Sequence, residues 1–557
     1  MRKSGIKRIA TLPIGEIDAR ELHMHCGPCD ITYRSDELEK LVPAQAKFGF
    51  DIIVEIGMAL FVDSQSDALI QKNLAEKNIT ISIREIGYLG KKFIVYLALA
   101  HRESQAEIKN LMNSNGGYIL HLDGTCEGAS PHLMSAIDDL SRIVLNNIKM
   151  PSENKDQIIP FLREIKESYG EPAALVHDMG VGILKSVKEV FPNVRDFICH
   201  FHFLKDIGKD LFGNEHSVLL NGLKQYRVRT KLRETKKKLE KMIEENEMLK
   251  NALATYLSSA HLDGPEKKLP PTIVVYVLII WVLESNSELK GFGFPFDRPH
   301  LVFYKRLEEA SVVINSLEKR KEFQKKLGSL ATCIHKTLQD RKLKMAEESM
   351  LKKIKIFDQL RDAMRIALPE NKLGLNDDGN DEINMKTIKD EVTKFRKSKE
   401  VIQLALKDVT YKKMLKQIDK YWDKLFADPI EVKTSTGIII KIHPQRTNNL
   451  MERFFRDFKR TQRKKGGANS LSKAMKAMIA DTPLVKNLEN EKYMNIILNG
   501  KKTLAERFSD VDITLVRENL LEKQKLQQLL PANMRKACKL PNLASKLAHF
   551  IETRLAS

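Results

Sequence analysis

The chain has 557 residues, 42% of them hydrophobic and 30% charged, with a net charge of +20 and a pI of about 9.4. That length exceeds what one hydrophobic core supports and implies two to four domains, and the basic excess implies a polyanionic partner: DNA, RNA or an anionic membrane surface. The longest apolar run, Ile273 to Leu283, is well short of the roughly 20 residues of a spanning helix, so it reads as a buried core helix and argues against a membrane-spanning segment.

The first segment, MRKSGIKRIATLPIGEI, is basic without an apolar signal core, which argues against secretion. Six cysteines in so long a chain read as reduced thiols rather than a disulfide framework. Residues 1–60 form an N-terminal region carrying HMHCGPCD, His23 to Asp30. Residues 61–112 read as two helices: Ser66 caps one running through Ile70 and Leu74. Ser82 and Glu85 have capping-box spacing for a second through Ile86, Leu89, Phe93 and Leu97. With Arg84, Lys91 and Lys92 this pair reads as a helix-turn-helix-like DNA-binding region or as a plain helical hairpin.

Over 113–215 strands and helices alternate. GYILHLDGT, LMSAIDDL and RIVLNNIKM read as strands. QIIPFLREIKESYG is an amphipathic helix ending on Gly170, PAALVHDMG a strand, GILKSVKEVFP a helix and DFICHFHFL a fifth strand. That order implies an α/β sheet with helices packed on it. Residues 216–430 read as a largely α-helical insertion, with LPENKLGLNDDGNDE as its best linker candidate. A helix begins near Thr447 within a segment at 431–480, and 481–557 read as a helical, basic tail.

Two apolar strands end on acids, Asp123 in HLDGT and Asp178 in VHDMG. Strand-end carboxylates held side by side repel unless a divalent cation intervenes, and hard oxygen ligands suit Mg2+ or Mn2+. Two such ions, about 3.5–4 Å apart, activate a nucleophile and stabilise the leaving oxygen of an in-line phosphoryl displacement. An isolated Asp at either place can equally cap the turn after its strand.

Glu452 is the third candidate. At 100° per residue, Asn449, Glu452, Arg456, Lys459 and Arg463 share one helical face, with Leu450, Met451, Phe454 and Phe458 opposite. Eight basic residues lie between Arg446 and Lys465, among them Arg453, Arg460 and Lys464, so this face suits DNA phosphates with one acid among them. A solvated helix with i,i+4 Glu–Arg pairing is the plain alternative. His23, His25, Cys26 and Cys29 form a candidate zinc set, crowded into seven residues and lacking a second CxxC. Cys199 and His202 read either as a zinc half-site without its other half, as a buried strand pair, or as residues orienting a nearby carboxylate or phosphate.

HLDGT, VHDMG, CHFHF and TNNLMERFFRDFKRTQRKKGG together resemble the DDE/D transposases of the RNase H-like integrase superfamily, specifically the bacterial insertion-sequence type with a large helical insertion before the last acid. The resemblance covers roughly 117–215 and 430–480. It implies an RNase H-like core with a mixed five-stranded sheet flanked by helices, interrupted by an all-α insertion and preceded by a mostly helical N-terminal DNA-binding region. It implies that Asp123, Asp178 and Glu452 hold two Mg2+ or Mn2+ ions while water frees a 3′-OH at a transposon end, which then attacks target DNA. It further implies double-stranded DNA as partner, a homodimer or higher oligomer on DNA, and a cytoplasmic, nucleoid-associated prokaryotic protein. An RNase H-like nuclease or resolvase and a catalytically silent transposase-derived DNA-binding protein are the alternatives.

Overall fold

The computed structural model describes residues 2–548 except 34–35, 259–268, 320, 369–384, 427, 435–436, 443–445, 467–470, 528–540, 544 and 546. Most of the expected linker at 368–382 lies outside the described residues. The chain divides into two compact units, one of residues 1–196 with 429–557 and the other of residues 197–428.

The first unit opens on β structure. β1 (Arg2–Thr11), β2 (Gly15–Cys26) and β3 (Ile31–Tyr33) form an antiparallel sheet in that order, with Ile6 opposite Arg20 and Met24 opposite Tyr33. The sequence reading did not include this sheet, although helices make up most of the regular structure between it and the core. Charged residues are scattered on both faces of these strands, so the period-2 signal is diluted, and cross-strand pairing rather than amphipathicity holds them.

Five helices follow: α1 (Asp36–Leu41), α2 (Phe50–Phe61), α3 (Asp67–Glu76), α4 (Ile83–Glu103) and α5 (Gln105–Ser114). Ser66 and Ser82 cap α3 and α4, their side chains accepting from the backbone N–H of Leu69 and Glu85. Every residue of α4 from Lys92 to His101 is buried, so it is a core helix. Its neighbour α2 approaches closely at Gly57, where an added Cβ would lie 2.1 Å from the Phe93 ring.

The central sheet comprises β4 (Ile119–Thr125), β5 (His132–Asp138), β6 (Val144–Met150), β7 (Ala174–His177) and β8 (Asp196–Ile198), ordered β6-β5-β4-β7-β8. β4 pairs antiparallel with β5 and parallel with β7, giving a mixed five-stranded sheet consistent with the expected RNase H-like core. α6 (Lys155–Tyr169) ends on Gly170 at φ +87°, and α7 (Val181–Val190) returns the chain to β8. The fifth strand is shorter than the apolar run DFICHFHFL suggests. It stops at Ile198, and Cys199 is already the residue before the next helix. Phe203, Leu204, Ile207 and Leu211 are buried at helical spacing, and that period overrides the local strand propensity of the run.

The elements described in the second unit after β8 are all helices, joined by short loops. It contains α8 (His200–Gln225), α9 (Val228–Glu244), α10 (Glu247–Ser258), α11 (Pro271–Leu283), α12 (Pro299–Glu318), α13 (Lys321–Leu338), α14 (Arg341–Met364), α15 (Met385–Arg396), α16 (Lys399–Lys407), α17 (Val409–Lys420) and α18 (Trp422–Leu425). The apolar run is α11, with Ile273, Val275, Ile279 and Val282 buried. A buried pair, Lys353 Nζ to Glu215 Oε1 at 2.7 Å, joins α14 to α8. No helix among the described residues is long and apolar enough to cross a membrane.

The chain re-enters the first unit through the hairpin β9 (Ile430–Lys433) and β10 (Ile439–Ile442), then α19 (Asn449–Gly466), α20 (Ser472–Ala477), α21 (Glu491–Leu498), α22 (Leu504–Ser509) and α23 (Ile513–Gln527). One apolar cluster runs through this unit. It joins Phe93 and Tyr96 of α4, Leu120 and Leu122 of β4, Met451 and Phe458 of α19, and Tyr493 and Phe508 near the end. The N-terminal helices, the sheet and the C-terminal helices thus share a core.

Candidate active site at the ends of β4 and β7

Asp123 lies in β4 and is 6% exposed, and the strand leading to it is buried from Ile119 to Leu122. The parallel register pairs Leu122 with His177, so the next residues on the two strands are Asp123 and Asp178. Adjacent strands run about 4.8 Å apart, which brings these two acids to neighbouring positions at one end of the sheet. The Asp123 Oδ1 accepts the Gly124 N–H at 2.8 Å. His177, fully buried, lies with Nδ1 2.7 Å from the Asp178 carbonyl oxygen and Nε2 3.4 Å from Asp196, which fixes the backbone that carries Asp178.

Glu452 occupies the first turn of α19 and is half-buried. The helix is amphipathic as expected: Met451, Phe454, Phe455 and Phe458 are buried, Phe455 in addition to the predicted stripe. Arg453, Arg456, Arg460, Arg463 and Lys464 are exposed, with Asn449 and Lys459 intermediate. Lys465 lies in α19, but its side chain is outside the described residues.

What ties α19 to the acids is Asn448, wholly buried just before the helix. Its carbonyl accepts the Glu452 N–H at 2.9 Å, its Nδ2 donates to the Leu122 carbonyl at 2.9 Å, and its Oδ1 lies 2.8 Å from His121 Nδ1. One side chain therefore joins the start of the helix bearing Glu452 to the two residues preceding Asp123. At the other end of α19, Glu127 accepts from Leu471 N–H at 2.9 Å and pairs with Arg463 at 3.4 Å. Sequence reasoning missed Asn448, His121, His177 and Glu127. The TNN run contains Asn448, but nothing local marks which asparagine turns inward.

Carboxylate oxygens on two adjacent strand ends have the donor chemistry of a hard divalent cation site. Among the described residues, no group of three or more His, Cys, Asp or Glu side chains stands close enough to hold one ion. The structure therefore brings Asp123 and Asp178 to one sheet end and anchors the Glu452 helix to the same strand, without converging all three carboxylates on one point.

The other candidates are distributed differently. His23 and His25 sit on β2 two residues apart and so on one face, with Cys26 on the alternate face and Cys29 in the following turn. His25 instead faces Thr32 Oγ1 at 3.4 Å and Asp30 at 3.6 Å. Strand alternation thus spreads the predicted zinc set over both faces. Cys199 and His202, expected in a strand, are the residue preceding α8 and a member of its first turn. Of the basic residues offered for the helix-turn-helix, Arg84 is exposed, Lys91 half-buried and Lys92 buried, its pKa pushed down to about 8 by burial and then by Arg517. Lys92 therefore cannot meet a DNA groove from this position.

No family model matches this chain, and no curated protein matches it. Among solved structures it is similar to the Drosophila P element transposase strand transfer complex, at 10% identity and a TM-score of 0.32, over 83% of this chain and 94% of that one. A likeness of that size carries no argument about activity, so the functional reading rests on the residues themselves.

Proposed function

We propose that this chain is a DNA transposase of the DDE type, cutting at transposon ends and joining the freed 3′-OH to target DNA. The observation that carries this reading is the register of β4 against β7, which sets Asp123 and Asp178 side by side at the end of the central parallel pair. Support comes from Asn448, which fastens the basic, Glu452-bearing α19 to the strand of Asp123.

In this reading Asp123, Asp178 and Glu452 would hold two Mg2+ or Mn2+ ions, which when bound activate the attacking hydroxyl and stabilise the leaving oxygen. Arg453, Arg456, Lys459, Arg460, Arg463 and Lys464 contact backbone phosphates and set the DNA in line with the acids, with Asn449 beside them. The cut that frees the 3′-OH is hydrolysis by water and the joining is transesterification by that 3′-OH, so no nucleotide cofactor and no covalent protein–DNA link are required. Two element ends are held by a dimer or larger assembly. The N-terminal region supplies further DNA contacts.

The test is strand transfer by the purified chain with Mg2+ and duplexes carrying the DNA that flanks its own coding segment. Joined products that vanish in Asp123→Asn and Asp178→Asn support the transposase. Cleavage without joining assigns a nuclease, and DNA binding without either reaction assigns a silent DNA-binding protein.

A further inference from the structure

The connection between β2 and β3 reads Cys26-Gly27-Pro28-Cys29-Asp30, a C-x2-C pair that the sheet-end acids do not use. β2 stops at Cys26, which pairs with Ile31, the first residue of β3, so only residues 27–30 turn the chain. Pro28 fixes its own φ, and Asp30 closes the turn at a left-handed φ of +51°. Cys26 is half-buried, Cys29 is exposed, and both are free thiols. They lie against one another. Hydrogen bonding with Cys26 is the largest influence holding the Cys29 thiol below its ordinary range; the Ile31 N–H, the Tyr33 hydroxyl and its own N–H add to it, against the cost of desolvation.

The surroundings favour sulfur chemistry over a metal. Cross-strand pairing puts Met24, Cys26, Ile31 and Tyr33 on one face, where Met24, Ile31 and Tyr33 are about half exposed. His23 and His25 lie on the other face, and among the described residues they complete no ligand set with the thiols.

We propose that Cys26 and Cys29 form a redox-active dithiol that exchanges with low-molecular-weight disulfides, an activity separate from the sheet-end acids. Cys29, the more exposed thiol, attacks one sulfur of the disulfide as its thiolate, and the other sulfur leaves as a thiolate. Cys26 then gives its proton to water and attacks Cys29 Sγ. The Cys26–Cys29 bond forms and the second thiolate is expelled. The chain loses two protons and two electrons, and the disulfide becomes two thiols. The short turn makes the second step intramolecular, and excess thiol reverses both steps.

The test treats the full, metal-free chain with oxidised glutathione at neutral pH, blocks the remaining thiols with iodoacetamide and maps the peptides by mass spectrometry. The wild type is expected to gain a Cys26–Cys29 disulfide and keep no adduct there, about tenfold faster than the exposed, solitary Cys126 gains its adduct. Cys26→Ser should stop at a glutathione adduct on Cys29, and Cys29→Ser should react at Cys26 no faster than Cys126 does. Neither change touches the buried core. A wild type that keeps the adduct without closing the bond, or a Cys29 no faster than Cys126, overturns the proposal. So does a zinc ion retained one per chain as purified and lost in both serine variants, which would assign the thiols to a metal site.

Discussion

The Nδ1 of His121 and the Oδ1 of Asn448 lie 2.8 Å apart in a wholly buried setting, although 327 residues of chain separate them. Burial lowers the His121 pKa despite the opposing influence of Asp139, 3.8 Å from its Nε2. The ring is therefore neutral at pH 7 and donates from Nδ1 to the amide oxygen. The other end of the amide donates to the Leu122 carbonyl. The contact places α19 on β4.

Replacing Asn448 with Leu leaves a buried imidazole N–H and a buried carbonyl unsatisfied. Each such group costs about 1–3 kcal/mol. Urea unfolding should show a loss of roughly 2–6 kcal/mol, and joining activity should fall more than the folded fraction does, because Glu452 is no longer held to the strand of Asp123. Asn448→Leu with unchanged stability would remove the clamp from the account.

Glu452 and Asp457 are the two acids of α19, one half-buried near its start and the other exposed. Glu452→Gln should reduce joining by at least about 100-fold, in line with the loss of a group acting in the transition state, with DNA affinity retained. Asp457→Asn should behave as wild type. The reverse result in a strand-transfer assay would transfer the role to Asp457.

The exposed basic row should act through phosphates. Neutralising Arg453, Arg456, Arg460 and Lys464 together should weaken DNA binding, and the slope of log K against log salt should fall by about 0.9 for each phosphate that is no longer neutralised. These side chains lie outside the core, so each change in stability should stay within about 0.5 kcal/mol. A salt titration that leaves the slope unchanged would place the DNA elsewhere.

His101 supplies a pH dependence. It is fully enclosed, with Tyr493 Oη 3.0 Å from Nδ1, and the Leu145 carbonyl and Tyr169 Oη each 3.0 Å from Nε2. Burial depresses its pKa to about 4. Its unfolded value is about 6.5, so the unfolded chain takes up a proton first. Stability is complete above about pH 6.5 and declines as pH falls towards 4, by roughly 3 kcal/mol in all. His101→Gln should be less stable at pH 7.5, and its deficit against wild type should shrink between pH 6.5 and 4. A deficit independent of pH in parallel urea titrations would contradict the assignment.

Much of the sheet was legible because its signals are local. Apolar runs ending in Asp123 and Asp178, the caps at Ser66 and Ser82, and the stop at Gly170 depend on neighbours within one or two turns. The face of α19 followed from its period alone. The N-terminal ladder of β1 and β2 was not legible, since its stabilising partners are cross-strand pairs such as Ile6 and Arg20. The run holding Cys199 and His202 suits a strand or a helix by its local composition, and burial at helical spacing decides for a helix from His200.

By itself, then, the sequence determined the alternation of strands and helices, the two strand-end acids and the amphipathic basic helix, because hydrophobic period, caps and breakers act along the chain. Tertiary structure alone decided that Asn448 reaches His121 and Leu122 and that Lys92 is buried. Those outcomes depend on which distant surfaces meet when apolar area is buried, and no residue pattern within a few turns encodes such a meeting.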